Sequence, residues 1–226
     1  MTTPLTYGAI REVDADDSVT IERVAQLHIE LLGFGPLAAF GPRLVREFGY
    51  RAPMKSGLMT LAVYEADGDI GGFIAYTADP EALHRNAVGR TWPRLTMLML
   101  ASLIESPRRL RDLARAVRIW RSRAPEPEGG SEGLGEIAAI AARPEFANFQ
   151  FIRQHKLRVS EALLDHAIAA FRRQHLTRLR GLLHADNPAP QLMYGRRGAR
   201  FRHFTQGGDA MVDAILDLRA GCALPD

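Results

Sequence analysis

The pattern between residues 135 and 185 constrains the fold more than any other part of the chain. An apolar stretch, Gly135–Ala142, precedes an amphipathic helical pattern, Val159–His175, and a second apolar stretch, Leu179–Ala185, follows it. Two neighbouring strands that are connected by a helix run parallel to each other, and such crossover connections are right-handed almost without exception. We therefore predict a parallel pair of strands inside a larger sheet.

Antiparallel hairpins are predicted on both sides of this unit. The β-rich runs Leu58–Tyr64 and Ile70–Thr77 are joined by residues 65–69, which contain Asp67-Gly68, a strong hairpin signal. A last pair of strands is predicted around Gly207-Gly208. Parallel and antiparallel pairs together predict a mixed α/β (α+β) sheet. With 226 residues, 46% of them hydrophobic, the chain suits a single domain, 1–226, around one core.

The N-terminal region reads as a short strand over residues 8–13 and two helices. Asp16, Asp17 and Ser18 offer N-caps to the first helix, and a second helix is predicted over residues 42–49. The apolar stripe of the first helix consists of Ile21, Val24, Ala25, His28, Leu31 and Leu32. We interpret His28, which lies on that stripe, as a hydrogen-bonded histidine at the core edge with no catalytic role.

Residues 82–134 read as a helical insertion that ends in a Pro-, Gly- and Glu-rich linker, residues 124–135. Within it, residues 108–123 hold seven arginines and one aspartate, a local charge of +6, so the rest of the chain sums to −3 against a total of +3. The arginines suit a solvated helix face, or contact with anionic lipid, a carrier protein or an acidic substrate. Nucleic-acid binding is not predicted, because no recognition motif accompanies them.

Other site classes lack sequence support. The single cysteine, Cys222, excludes an internal disulfide and a CxxC pair, which fits a reducing, cytoplasmic location. The N-terminus has no secretory pattern, and the longest uncharged apolar run in helix-like sequence, Thr96–Ile104, is too short to span a membrane. No HExxH, paired histidines or Asp-rich loop predicts a metal site.

The segment from Asn187 to Phe201, NPAPQLMYGRRGARF, resembles the terminal motif of the GNAT superfamily of N-acyltransferases. The matching positions are Asn187, Met193, Tyr194 and Gly198; Pro190 stands where the family usually has Ala, and Phe201 lies two residues beyond the expected aromatic. Two upstream segments are also similar to the family: 136–146, as its central strand and Pro-Glu-aromatic exit, and 160–164, as the start of the helix after its phosphate loop.

The resemblance implies a GNAT fold with a helical insertion. It also implies transfer of an acyl group from acetyl-CoA or another acyl-CoA to the primary amine of a small molecule. On this resemblance Tyr194 protonates the departing thiolate, Glu136 is the candidate base, and Asn187 lies at the cofactor. The backbones of Ile140 and Ala142 would contact the thioester carbonyl and the pantetheine arm.

The phosphate loop departs from the family pattern. No glycine occurs between Gly135 and Gly181, and residues 147–154 form an extra segment, so close backbone approach to a pyrophosphate is obstructed. Four residues could bind phosphate instead, through side-chain charge and the start of a helix: Arg153, Lys156, Arg158 and Ser160. Alternatively, an acyl carrier protein presents the donor through its pantetheine arm, or the domain transfers no acyl group.

Overall fold

A computed structural model describes residues 7–33, 38, 41–89, 126–127 and 129–219, with side chains for all of these except 86–89. Seven strands form one sheet in the order β1-β2-β3-β4-β5-β7-β6. The strands are β1 (Ala9–Glu12), β2 (Thr60–Ala66), β3 (Asp69–Thr77), β4 (Leu134–Ala142), β5 (Arg178–His184), β6 (Arg200–Gln206) and β7 (Asp209–Asp217). Strands β4 and β5 are parallel and the other neighbours are antiparallel, which confirms the predicted mixed sheet.

Helices cover both faces of this sheet. They are α1 (Ser18–Leu32), α2 (Pro42–Leu44), a π-helical segment (Val45–Arg51), α3 (Ala52–Lys55), α4 (Pro80–Gly89), α5 (Phe149–His155), α6 (Val159–Arg173) and α7 (Pro188–Gly195), with a 3₁₀ turn over Pro144–Phe146. One core forms beneath α6 and α7, and we call that side the α6 face. A second core forms beneath α1 and the helical segment 42–55, and we call that side the α1 face.

Local chemistry explains where the main helices begin and what they bury. The Asp17 carboxylate accepts a 3.0 Å hydrogen bond from the backbone N–H of Thr20, so Asp17 is the residue that caps α1. Helix α6 places Leu163, Ala167 and Phe171 on one side, and all three are buried in the core of the α6 face. Full burial of a side chain such as Leu163 contributes about 2 kcal/mol.

Several predicted boundaries move. The helix expected over residues 42–49 continues to Lys55 and ends before Gly57, whose φ of +70° favours glycine. The helix expected from residue 82 begins at Pro80, because Asp79 accepts a 2.8 Å hydrogen bond from the N–H of Ala82. The extra segment predicted at residues 147–154 forms most of α5.

The remaining part of the predicted insertion, residues 90–125, and with it the basic segment 108–123, lies outside the described residues. In the described part of the chain, every helix is too short or too polar to cross a membrane. Those same residues contain no cluster of three or more His, Cys, Asp or Glu side chains that could hold a metal ion.

Candidate active site at the fork between β4 and β5

The two parallel strands separate partway along their length. Pairing joins Leu134–Ile137 of β4 to Arg178–Gly181 of β5 and stops there. Beyond this fork β4 continues to Ala142 alongside β3, and β5 continues to His184 alongside β7. The inner edge of β4 therefore leaves backbone N–H and C=O groups without a strand partner in the middle of the sheet. Such an edge can bind an extended ligand through main-chain hydrogen bonds.

A β-bulge marks the same point. Along β3 and β4 the paired residues skip Ala138, which is exposed, whereas the four residues before it in β4 are buried. The extra residue reverses the alternation of side chains. Ile137 and Ile140 consequently both pack on the α6 face, and Ala139 packs on the α1 face. The predicted backbone contacts, Ile140 and Ala142, both lie beyond the fork on the partly accessible portion of β4.

Tyr194 approaches the fork from the α6 face. It lies on α7 and is fully buried, and its hydroxyl has no hydrogen-bond partner among the described residues. The hydroxyl lies against Gly181, the last β5 residue paired with β4, where a Cβ would come within 2.5 Å of Oη. Burial raises the pKa of Tyr194, as does the negative charge of Glu136, while Arg197 opposes the shift. The phenol is therefore neutral at physiological pH and can donate a hydrogen bond.

Glu136 approaches the fork from the opposite side. A Cβ on Gly135 would point toward Phe171 of α6, so the next side chain along β4, that of Glu136, points toward the α1 face. The Glu136 carboxylate is buried, with Oε1 at 3.7 Å from His84 Nε2 and Oε2 at 3.8 Å from Arg180 Nη1. A second carboxylate, Asp213, holds the Arg180 guanidinium through two bonds of 2.8 and 3.0 Å.

The fold itself identifies the structural relatives. The sequence matches no protein-family model and no curated protein. A solved structure from Desulfovibrio desulfuricans, assigned to the GNAT family of acetyltransferases, superposes on 93% of this chain and 98% of its own, with a TM-score of 0.53 and 16% identity. This chain has the GNAT fold.

Two further GNAT-fold structures were solved with a ligand. One, from Salmonella typhimurium, is assigned as an acetyltransferase and holds its cofactor acetyl-CoA; it covers 96% of this chain and 97% of its own, with a TM-score of 0.52 and 13% identity. The other is the PaiA N-acetyltransferase of Thermoplasma acidophilum in complex with coenzyme A. It covers 91% of this chain and 96% of its own, with a TM-score of 0.51 and 12% identity.

The glycine-free loop of this GNAT fold contains one residue with a left-handed backbone. Lys156 ends α5 at φ +52°. The tertiary structure holds this non-glycine residue in αL at a cost of about 1 kcal/mol. Lys156 is exposed, so its ammonium group is available to an anion.

The other predicted phosphate ligands lie on α5 and at the start of α6. Arg153 and Arg158 are exposed, and Ser160 lies in the first turn of the helix. The carboxylate of Glu161 also lies there, with Oε1 at 3.5 Å from Arg158 Nη1 and 3.0 Å from Arg196 Nη1. Cationic side chains thus gather at this helix start, but Arg158, Arg196 and, at 3.8 Å, Arg197 share the Glu161 carboxylate.

Asn187 lies where β5 leads into α7. Its side chain is exposed and makes no capping hydrogen bond to the helix. Its backbone carbonyl accepts a 3.1 Å hydrogen bond from Gln191, which also bonds the carbonyl of Ala185 at 3.0 Å. Asn187 and Gln191 therefore shape the turn that carries the tyrosine helix back to the fork.

The sequence analysis missed two residues at this site, His84 and Arg180. Arg180 is invisible to local patterns because an arginine within a β-rich run is typical of a solvent-facing position. Its burial depends on its place in the sheet, opposite Glu136 and bonded to the buried Asp213. His84 has no surrounding motif, and the turn between β3 and α4 brings it to Glu136.

Proposed function

We propose that this protein is an N-acyltransferase that transfers an acyl group, most simply acetyl, from a CoA thioester to the primary amine of a small molecule by direct attack. The observation that carries the proposal is the meeting of three features at one fork. These are the free inner edge of β4, the unpartnered hydroxyl of Tyr194 on the α6 face, and the buried carboxylate of Glu136 on the α1 face.

The free strand edge suits the donor. A pantetheine arm carries two amides, and an unpaired strand edge offers the complementary N–H and C=O groups, here along Ile140–Ala142. A thioester held there brings its sulfur toward Tyr194. The tyrosine hydroxyl would then gain the partner that the described residues do not supply, which favours donor binding at this point.

The opposite face suits the acceptor. Glu136 removes a proton from the ammonium group, and the neutral amine attacks the thioester carbonyl, so that a C–N bond forms and the C–S bond breaks. Backbone N–H groups of β4 near Ile140 stabilise the developing oxyanion. The departing sulfur takes a proton from Tyr194, which regains one from the nitrogen that has just been acylated. One ammonium and one thioester thus give one amide, one thiol and one proton.

A second candidate differs only in how the donor is presented. Arg158 and Arg196 both contact Glu161, which lowers the positive charge available to a pyrophosphate at the start of α6. That arrangement favours a donor bound mainly through pantetheine, as an acyl carrier protein would present it. The two candidates share the chemistry at the fork and differ in the contribution of the nucleotide.

Calorimetric titration with acetyl-CoA and with acetylpantetheine, which lacks the nucleotide, separates the two candidates. A CoA-dependent enzyme should bind acetyl-CoA more tightly than acetylpantetheine, and Arg158→Gln should remove most of that difference in affinity. Arg43→Gln is the matched control, because it removes an exposed arginine next to α1, on the other face of the sheet. Equal affinity for both donors favours a carrier protein.

Turnover is measured by release of free thiol to dithiobis(nitrobenzoate) with a panel of primary amines. The protein contains one cysteine, so its own signal cannot exceed one equivalent, whereas catalysis exceeds it. Binding of neither donor, together with no thiol release above that equivalent, would overturn the proposed function.

A further inference from the structure

We propose that His84 is a proton-relay residue that carries to solvent the proton Glu136 takes from the acceptor amine. The inference rests on the proposed function and adds to it a residue outside the sequence motif. It answers a question that the burial of Glu136 raises, namely how a buried carboxylate loses its proton before the next turnover.

Burial and distance both point to the histidine. The side chain of Glu136 is 7% exposed and that of His84 is 69% exposed, and Glu136 Oε1 lies 3.7 Å from His84 Nε2. This distance exceeds the length of a hydrogen bond by less than ~1 Å, and a rotation of the exposed imidazole can close the gap. Histidine is also the side chain whose charge ordinarily changes near neutral pH, so it can accept and release a proton in every cycle.

The fold places His84 through a short connection. Thr77, at the end of β3, pairs directly with Glu136, and only residues 78 and 79 separate it from α4. Asp79 fixes the first turn of α4 through its bond to Ala82 N, and Pro80 of that turn is buried. His84 lies four residues after Pro80 and therefore on the same side of the helix.

The other charged groups near Glu136 cannot take this role. Arg180 faces Oε2, but a guanidinium does not accept a proton, and Asp213 holds this one in place through two hydrogen bonds. On α4 itself, Glu81 and Arg85 pair with each other at 3.2 Å, and Glu81 also bonds Ser131. Of the charged and titratable groups described around the carboxylate, His84 is the one suited to moving a proton toward water.

The relay balances. The ammonium loses one proton to Glu136, which passes it to His84 Nε2, and the imidazolium releases it to water. The second nitrogen proton leaves after the C–N bond has formed and replaces the one that Tyr194 gives to the sulfur. Each turnover therefore releases one proton to the medium, and it leaves past His84.

Turnover of His84→Ala at saturating substrates tests this path, with His203→Ala, an exposed histidine on β6, as the matched control. The loss of the relay should lower kcat at neutral pH by at least ~10-fold. Added imidazole or a higher pH should restore it, while acetyl-CoA affinity stays at the wild-type value. An unchanged kcat, or a loss that neither imidazole nor pH restores, would overturn the proposal.

A second measurement needs no turnover. Nitrogen-15 resonances of the His84 ring report which ring nitrogen carries the proton, and Glu136→Gln should change that distribution because the carboxylate faces Nε2. Identical His84 resonances in the two proteins would also overturn the proposal. If wild-type protein acylates no amine, the proposed function fails, and this comparison still decides whether the two side chains are coupled.

Discussion

The buried hydroxyl of Tyr194 yields a prediction that separates stability from catalysis. Tyr194→Phe keeps the ring that fills the core beneath α7 and removes only an oxygen without a partner among the described residues. A buried polar group left unpaired costs about 1–3 kcal/mol. We therefore expect the ligand-free variant to be more stable than wild type by at least ~1 kcal/mol, or ~2–4 °C in Tm for a chain of this size.

Urea denaturation followed by circular dichroism measures this change, with an unaltered m-value as the sign that the unfolded state is the same. Tyr64→Phe is the matched control, because Tyr64 is equally buried but donates a 2.7 Å hydrogen bond to the carbonyl of Tyr7. Removal of that partnered hydroxyl should cost ~1 kcal/mol. The two tyrosines should thus shift stability in opposite directions.

Catalysis should respond the other way. Without the phenol proton the departing thiolate is not neutralised, and we expect kcat to fall by about 100-fold while the protein remains folded. The reasoning would be refuted if Tyr194→Phe lost more than ~1 kcal/mol of stability, because the hydroxyl would then have a structural partner. Wild-type turnover in a fully folded variant would refute the assignment of Tyr194 as the proton donor.

Three further predictions concern the surrounding fold. Burial lowers the pKa of His28 from 6.5 to about 4, so between those values the unfolded chain binds a proton that the folded chain does not. The free energy of unfolding should fall by on the order of 3 kcal/mol as the pH drops through this window. In His28→Gln the midpoint of urea denaturation should depend much less on pH over the same range. Gly181→Ala places a Cβ 2.5 Å from the Tyr194 hydroxyl oxygen and should lower the free energy of unfolding by ~1–3 kcal/mol in the same assay. Gly195→Ala is the control, because its Cβ meets its nearest atom at 3.6 Å and should cause no such loss. Equal losses in the two variants would contradict the predicted clash. Asp213→Asn breaks the buried ion pair with Arg180 and should lower the free energy of unfolding by about 3–5 kcal/mol. Asp69→Asn, which removes an exposed carboxylate, should lower it by less than ~1 kcal/mol. Similar losses in the two variants would mean that the buried ion pair contributes little to stability.

Local patterns predicted most of the elements. The hairpin around Asp67-Gly68 and the crossover from β4 through α6 to β5 appear as predicted, and one of the three predicted N-cap residues, Asp17, caps α1. Each depends on interactions between residues close in sequence, or on a periodicity that one segment carries by itself. His28 is half-buried and bonded at 2.7 Å to the hydroxyl of Tyr50, which agrees with the interpretation of a hydrogen-bonded histidine at the core edge.

The sequence by itself therefore determined the mixed sheet and the resemblance that directed attention to Glu136 and Tyr194. Only the tertiary structure decided how those residues meet, because the fork depends on where β4 and β5 stop pairing and on the bulge at Ala138, neither of which leaves a trace in a local pattern. The same holds for His84, which reaches Glu136 from another element across 52 residues of chain. Contacts between distant segments are set by packing of the whole sheet, and at this fork packing brings one carboxylate, one phenol and one imidazole to the same strands.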